Sequence, residues 1–266
     1  MGRLLRPVAD APALVLASAG GAGRRSLVIA DLHLGLAGSP ARPMGPPSGS
    51  ADELEGRLVE LARAERAEAI VIAGDVKHPI VGVPPSLRPV LFDFFAGLLR
   101  EGLRVEVVLG NHDAGIARHL PKEVDVSPAG GVVRDGVGIF HGHRWPSDEL
   151  LAARRWVTGH LHPGYRFAPT ADHPDGKRPC WVRAEYPTRW TAEEFGKGPR
   201  PAVRELVVLP PFNPLAGLEA LNRNRPARGR TFLYRRFLAR AVARAYLLDG
   251  TGLGVLPTWG PSRGPP

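Results

Sequence analysis

The sequence has 266 residues, 44% of them hydrophobic, and its 35 Lys and Arg against 26 Asp and Glu give a net charge of +9. This length and apolar content predict a folded globule with a sizeable core. The single cysteine, Cys180, excludes an internal disulfide framework and a thiolate zinc knuckle, because both need partner cysteines. The positive charge favours polyanions such as nucleic acid, although a coding bias toward Arg, Ala, Gly and Pro would also raise it.

The first half of the chain alternates predicted strands and helices. Apolar runs at 13–17 and 26–30 predict two strands, and the proline-rich stretch 38–49 is typical of a mobile surface loop. A capping box from Ser50 to Glu53 predicts a helix to about residue 67, followed by a buried strand at 69–73. An apolar stripe at 90–99 predicts a second helix, and 105–109 a further strand. This alternation predicts an α/β fold whose sheet is covered on both faces.

The second half contains shorter elements with closer spacing. Strands are predicted at 124–126, 132–134, 137–140, 156–158, 204–209 and 253–256. Residues 163–201 are rich in Pro, Gly and charge, which predicts an elaborated loop, interpreted as a candidate lid, with one strand at 181–186. The basic segment 222–248 holds eight Arg and no acid, and 232–248 predicts an amphipathic helix with Arg236, Arg240 and Arg244 on one side. We expect one domain over 1–256 and a flexible tail at 257–266.

Five short polar patches follow five of the apolar runs. They are Asp31-Leu32-His33, Gly74-Asp75, Gly110-Asn111-His112-Asp113, His141-Gly142-His143 and Gly159-His160-Leu161-His162. Seven of the nine histidines lie in or beside these patches. In each of the pairs Asp31 with His33 and His160 with His162, a spacing of two residues on an extended strand puts both side chains on one side of the chain. The patches therefore predict one shared site.

The donor types in these patches are carboxylate, imidazole and amide oxygen. Without sulfur, they suit divalent Mn, Fe, Zn or Mg and disfavour a structural thiolate site. The carboxylate of Asp75 has two oxygens and can bridge two ions, while Asn111 offers a neutral oxygen and His141 an imidazole. A lone histidine at a strand end is more often a satisfied polar residue, so the prediction of a metal site depends on the clustering.

The five patches, in this order and each after a strand, closely resemble the signature blocks of the calcineurin-like metallophosphoesterase superfamily over Asp31 to His162. Longer strings are similar to the Icc-like phosphoesterases, a subgroup that includes DNA ligase-associated members. These strings are Asp31-Leu32-His33-Leu34-Gly35, Gly74-Asp75-Val76-Lys77-His78, Gly159-His160-Leu161-His162-Pro163 and Phe212-Asn213-Pro214-Leu215.

The resemblance implies a four-layer α/β/β/α sandwich with two metal ions at the carboxyl ends of the strands. It assigns Asp31, His33, Asp75 and His162 to one ion, and Asp75, Asn111, His141 and His160 to the other, with His143 as an alternative to His141. It also implies His112 as the proton donor to the leaving oxygen, oriented by Asp113. Lys77, His78 and His143 are weaker candidates for phosphate contact and could equally be plain loop residues.

The function that this resemblance implies is hydrolysis of phosphodiester bonds, in nucleic acid or nucleotides, with two divalent ions. We expect Mn, with Fe, Zn or Mg as alternatives, and attack on phosphorus by a water whose pKa the ions lower toward ~7. Phosphomonoesterase or cyclic-nucleotide phosphodiesterase activity stays open, as does a metal-binding scaffold, against which the complete ligand set counts. No P-loop or G-x-S-x-G motif is found. The single cysteine favours a reducing, intracellular setting, so we expect a cytoplasmic protein. No apolar run reaches the ~18 residues that span a bilayer, and the oligomeric state is left open.

Overall fold

A six-stranded sheet forms the first half of the molecule. The structure is a computed structural model that describes residues 4–17, 24–36, 50–172, 174–186, 200–223, 233 and 237–257. The strands, in spatial order, are β1 (Leu4–Pro7), β2 (Leu14–Ala17), β3 (Arg25–Ile29), β4 (Ala69–Ile72), β5 (Arg104–Val108) and β6 (Asp125–Ser127). The pairs from β1 to β3 are antiparallel, and those from β3 to β6 are parallel. Because β3, β4 and β5 are parallel, their carboxyl ends meet at one edge.

Two helices cover the outer face of this sheet. They are α1 (Ala51–Glu65), which starts at the predicted capping box of Ser50 and Glu53, and α2 (Leu87–Arg100). Leu58 of α1 and Leu91 and Phe95 of α2 are fully buried against apolar side chains of the sheet. Burying such side chains contributes roughly 1.5–3 kcal/mol each, so this layer holds the parallel strands in place.

A second, mixed sheet packs against the first. Its strands are β7 (Val132–Arg134), β8 (Val137–Ile139), β9 (Arg155–Thr158), β10 (Pro163–Arg166), β11 (Lys177–Glu185), β12 (Glu205–Val208), β13 (Glu219–Ala220), β14 (Val242–Leu247) and β15 (Gly252–Val255). The spatial order is β13-β10-β11-β12-β9-β8-β7, with β14 beside β11 and β15 beside β14. The central strands β8, β9 and β12 are mutually parallel, so their carboxyl ends also share one edge.

The two sheets enclose an apolar core, and the second sheet has a further layer on its outer face. Val28 and Val71 from the first sheet pack with Val157 and Trp181 from the second. The outer layer includes α3 (Asp148–Leu151) and a 3-10 turn at Leu238–Arg240, which pack near Trp156. The predicted α/β sandwich of two sheets is confirmed. Its helical layer over the second sheet is thin in the part of the chain that the structure describes.

The predicted helix at 232–248 is wrong for its second half, because residues 242–247 form β14. Burial alternates along this strand, with Ala243, Ala245 and Leu247 buried and the residues between them more exposed. Pairing with β11 along six residues fixes this two-residue period. Arg244 lies beside Glu185 at 3.6 Å, and Arg236 lies outside the described residues.

The region predicted as an elaborated loop, 163–201, contains two strands, β10 and the nine-residue β11. The two strands pair in an antiparallel hairpin, so this stretch is more regular than its composition indicates. Residues 187–199 lie outside the described residues, as do the loop expected at 38–49 and residues 258–266 of the expected tail. Among the described helices, none has the length and apolar character that a membrane span requires.

Candidate metal centre

The polar patches follow strands whose carboxyl ends meet between the two sheets. Asp31, Asp75 and Asn111 come after β3, β4 and β5, while His141 and His160 come after β8 and β9. Asp31 and His33 were expected to lie on one side of an extended strand, but the backbone at these two residues is not extended. Asp31 has φ of +59° and His33 of +44°, so both lie in a left-handed turn beyond the strand end.

Left-handed backbone is concentrated at this edge. Eight non-glycine residues in the described part of the chain have positive φ. Five of them, Asp31, His33, Asp75, His160 and His162, belong to the predicted metal ligands. Such a conformation costs of order 1–3 kcal/mol per residue and persists only where surrounding contacts hold it. The concentration of strained residues is typical of a functional site.

One cluster of ligand atoms consists of Asp31, His33 and His162, whose donor atoms all lie within 4.8 Å of one another. The Nε2 atoms of His33 and His162 are 3.1 Å apart, and His162 Nε2 is 3.3 Å from Asp31 Oδ1. The Nδ1 atom of His162 is 2.9 Å from the carbonyl oxygen of Gly217. A carbonyl only accepts hydrogen bonds, so Nδ1 carries the proton and Nε2 presents its lone pair to the cluster.

A second cluster consists of Asp75, His141 and His160, again with donor atoms within 4.8 Å of one another. His141 Nδ1 donates to the carbonyl oxygen of Ala73 at 2.8 Å, so its Nε2 faces Asp75 Oδ2 at 3.1 Å. The same Oδ2 lies 3.9 Å from His33 Nε2 of the first cluster. Asp75 therefore lies between the two clusters and can bridge them.

Unpaired polar atoms at this edge indicate what the site holds. Within the described residues, Asn111 Oδ1 is buried without a hydrogen-bond partner, and His141 Nε2 has only Asp75 Oδ2 as a charged neighbour. Leaving a buried polar atom unpaired costs about 1–3 kcal/mol. A divalent cation at the second cluster would satisfy Asn111 Oδ1, and the carboxylate and imidazole donors of both clusters are ligands that such ions accept. The side chains at this edge therefore fit two metal ions.

The buried carboxylates and imidazoles of the two clusters shift one another's pKa values. Burial raises the pKa of Asp31, but the nearby His162 and His141 outweigh this effect and bring it below its ordinary value. Asp75 behaves likewise, with His141 as the main opposing partner. Burial disfavours charge on His141, yet Asp75 raises its pKa to about 9, while burial and His141 lower that of His160 to about 3.

The predicted proton donor His112 lies beside the clusters. Its backbone N–H donates to Asp75 Oδ1 at 2.9 Å, and its Nε2 is 3.7 Å from Asp75 Oδ2. Its Nδ1 faces the carbonyl oxygen of His78, which fixes the proton on Nδ1. The Nε2 of His112 is therefore directed toward the metal centre, and it could donate a proton there only from the doubly protonated imidazolium form.

Asp113 has hydrogen bonds that differ from its expected bond with His112. Its carboxylate accepts the backbone N–H groups of Asp75 at 2.9 Å, Val76 at 2.9 Å and Gly110 at 2.8 Å. The side chain is buried, which raises its pKa, although the Gly110 N–H favours the ionised form. Asp113 thus ties the loop that carries the bridging carboxylate to its own loop, while the carbonyl of His78 orients His112.

The weaker substrate candidates occupy three different environments. Lys77 is buried, and its ammonium donates to the carbonyl oxygens of Pro79 and Ile80, so it holds the adjoining loop and does not face the clusters. His78 is exposed, with its ring 5.6 Å from that of His33, and together with His112 these rings form a third group of neighbouring donors. His143 is half-buried, 5.4 Å from the His141 ring, and burial lowers its pKa to about 4.

Sequence reasoning assigned no role to Asn213, which is buried next to the first cluster. Its side-chain amide donates to the carbonyl oxygen of Leu32, between Asp31 and His33. The only signal in the sequence is the string Phe212-Asn213-Pro214-Leu215, which is similar to the Icc-like phosphoesterases. The string alone does not indicate what Asn213 does.

Comparison with known proteins gives one family and two structural likenesses. A family model for calcineurin-like phosphoesterases matches residues 24–189, more than half of the chain. Among solved structures, the chain is similar to the nuclease MPE of Pseudomonas putida, with 19% identity and a TM-score of 0.53 over 92% of this chain and 98% of that one. At this identity the likeness shows the fold alone.

A second likeness is to Yfce, a phosphoesterase from E. coli, with 16% identity over 88% of this chain and 98% of that one. Its TM-score is 0.36, which is too low to indicate a shared fold. No curated protein matches the chain significantly.

The family match spans all five Asp and His patches, and it puts the molecule in the class of metal-dependent phosphoesterases. The chain belongs to the calcineurin-like phosphoesterase family. The superfamily and the enzyme class predicted from the patches are confirmed.

Proposed function

We propose that this phosphoesterase hydrolyses phosphodiester bonds of nucleic acid or nucleotides in the cytoplasm, with two divalent ions, Mn in the first place, at the metal centre. The observation that carries the proposal is the pair of donor clusters with Asp75 between them. One ion would be held by Asp31, His33, Asp75 and His162. The other would be held by Asp75, Asn111, His141 and His160.

The residues around the two ion positions have separate tasks. Two bound ions would supply an acidified water and neutralise charge on the phosphoryl oxygens. Asp75 keeps the two positions adjacent. His112 directs Nε2 toward the same region, 3.7 Å from Asp75 Oδ2, and we assign it the protonation of the leaving oxygen. His78 is exposed and lies next to His112, whose Nδ1 bonds the carbonyl oxygen of His78.

Two observations favour a polyanionic diester as the substrate. The net charge of +9 attracts phosphate backbones, and the similar protein MPE is described as a nuclease. Of the basic segment 222–248, only Arg223, Arg240 and Arg244 lie in the described residues, and Arg244 pairs with Glu185. Support from charge therefore comes from the whole chain more than from this segment.

The first test compares two synthetic substrates with Mn²⁺ present. We expect faster hydrolysis of bis(p-nitrophenyl) phosphate than of p-nitrophenyl phosphate, because the proposed substrate is a diester. Asp75→Asn should lower both rates by more than ~100-fold, since it removes the bridging carboxylate. The matched control is Asp10→Asn, because Asp10 is also left-handed, with φ of +56°, but is exposed. An Asp75→Asn protein as active as this control would contradict the assigned centre.

The nucleic-acid part of the proposal needs its own assay. Single- and double-stranded DNA and RNA are incubated with the Mn²⁺-loaded protein at several salt concentrations. We expect cleavage that weakens as salt rises, because phosphate contacts release counterions. Cleavage of nucleotides or monoesters alone would favour a phosphomonoesterase or cyclic-nucleotide phosphodiesterase. Absence of any hydrolysis with both ions bound would favour a metal-binding scaffold.

A further inference from the structure

A short segment after β12, residues 212–217, lies against the metal centre and beyond the family match, which ends at residue 189. We call it the C-terminal brace. Phe212 and Asn213 within it are fully buried. The ligands of the metal centre all come from residues 31–162, so the brace supplies none of them. Its contacts show how it acts on the ligands.

The brace follows the loop that carries two ligands of the first cluster. The backbone N–H of Phe212 donates to Ala30 O at 2.9 Å, and that of Asn213 to Asp31 O at 3.4 Å. The side chain of Asn213 continues this series by donating to Leu32 O at 2.8 Å. Three consecutive carbonyls of the loop are thereby held in the left-handed turn at Asp31 and His33.

The other end of the brace holds the third ligand of that cluster. Gly217 O accepts the Nδ1 proton of His162 at 2.9 Å, which fixes the nitrogen that His162 presents. Between the two ends, Asn213 Oδ1 accepts the N–H of Leu215 at 2.9 Å, and Asn213 O accepts that of Ala216 at 3.0 Å. The brace is therefore a single ordered turn that connects Asp31, His33 and His162.

The second cluster is held by other parts of the chain. His141 donates to Ala73 O at the end of β4, and Asp75 accepts the N–H of His112. The backbone of Asp75 is bonded to Asp113. These supports belong to residues 73–141, within the family match. The described hydrogen bonds of the brace reach the first cluster. The two clusters are joined to each other where the N–H of His33 donates to Asp75 O at 2.9 Å and where Asp31 accepts the N–H of His160.

We propose that the C-terminal brace positions the ligands of the first ion site only, with Asn213 as its positioning residue, so that this site can be emptied while the second remains occupied. The inference rests on the proposed two-ion function. Asn213 touches neither ion and acts through the loop at Leu32. Outer groups of this kind typically change metal affinity 10–100-fold (roughly) when removed.

The test measures Mn²⁺ binding by calorimetry and by the electron paramagnetic resonance signal of the bound ions. We expect two Mn²⁺ per wild-type chain with a spin-coupled signal. Asn213→Ala should keep one site at wild-type affinity, weaken the other by roughly 10–100-fold, and give a signal of isolated Mn²⁺. A higher Mn²⁺ concentration should restore the second ion and the coupled signal.

The matched control is Asn222→Ala. The Asn222 side chain also makes two hydrogen bonds to backbone, with the N–H and the carbonyl of Arg166, both at 2.9 Å, but Arg166 ends β10 and is not among the proposed ligands. We expect this variant to bind two ions as the wild type does. Equal weakening of both sites in Asn213→Ala, or unchanged binding, would overturn the positioning role.

Ligand variants identify which site the brace controls. Asn213→Ala added to His162→Ala, which already lacks a ligand of the first site, should leave the one remaining ion unaffected. Added to His160→Ala, it should weaken the remaining tight site, because the two substitutions then act on different ion positions. The opposite pattern would contradict the assignment. Fewer than two ions on the wild type would instead contradict the proposed function.

A second, milder variant covers the case in which Asn213→Ala does not fold. Arg57 of α1 lies 4.8 Å from the centre of the Phe212 ring and donates to Phe212 O at 3.4 Å. Arg57→Ala should weaken the first site alone, by less than Asn213→Ala. Arg63→Ala, on the same helix but paired with Glu101, should leave both sites unchanged. Identical binding by the two variants would contradict the brace.

Discussion

The proposed ligands of the metal centre lie in strained backbone that hydrogen bonds from neighbouring residues hold in place. Asp31 illustrates this, because its φ is +59° while its carboxylate accepts the N–H of His160 at 3.1 Å. Asp75, with φ of +55°, accepts the N–H of His112 in the same way. Each strained residue is thus fixed by a contact from another patch. The donors are oriented before an ion arrives, which lowers the cost of binding it.

His112 gives a prediction that separates catalysis from metal binding. Its ring nitrogen is directed to the centre, but it belongs to neither of the two clusters and lies instead in the third donor group, with His33 and His78. We expect His112→Ala to keep both Mn²⁺ ions and to lower kcat for a diester with a poor leaving group by ~10²–10⁴-fold, because the proton donor is lost. The measurement is steady-state kinetics together with the Mn²⁺ content of the purified variant.

His119→Ala is the control for that variant, since His119 lies in the 3-10 turn at Ile116–His119 that follows the same loop. It should retain wild-type kcat. Loss of an ion from His112→Ala would show that this residue acts as a ligand and not as the donor. A kcat equal to that of the control would remove His112 from the mechanism.

At the scale of elements, Asp113 connects the loops that follow β4 and β5. Its carboxylate accepts three backbone N–H groups from these two loops at 2.8–2.9 Å. An Asn at this position has one accepting oxygen, and its amide group would face N–H donors. We expect Asp113→Asn to lower the free energy of unfolding by about 1–3 kcal/mol for each N–H left unpaired, as measured by urea denaturation of the metal-free protein.

The variant Asp125→Asn provides the comparison, because Asp125 starts the neighbouring strand β6 but is exposed. Its stability should be that of the wild type. If Asp113→Asn unfolds at the same urea concentration as this control, the two loops are held together by other contacts.

Elements whose signals are local were predictable, and those decided by distant pairing were not. The capping box of Ser50 and Glu53 correctly predicted the start of α1, because both residues lie within one turn. Residues 242–247 were predicted as part of a helix because a spacing of four residues puts Arg236, Arg240 and Arg244 on one side of an amphipathic helix. The register of β14 against β11 decides the outcome, and it pairs Leu247 with Cys180 across the chain. Such a contact leaves no periodic signal in a short segment.

At the scale of the whole molecule, two sheets bring their strand ends together at one centre. The donors could be predicted because carboxylate and imidazole patches follow successive strands, and the sequence identified their shared site. The hydrogen bonds that hold these donors in place could not be predicted from the sequence. Asn213 and Leu32, which form one hydrogen bond, are separated by 181 residues in the chain. Asp113 was recognised as part of the site, but only the fold shows that it bonds to the backbone of Asp75.

The most direct test of the two-ion centre is anomalous diffraction from crystals of the protein soaked with Mn²⁺. The two-ion centre predicts two anomalous peaks per chain, ~3.5–4 Å apart, with the carboxylate of Asp75 in contact with both. One peak should lie among Asp31, His33 and His162, and the other among Asn111, His141 and His160. A single peak, or two peaks that do not share Asp75, would contradict it.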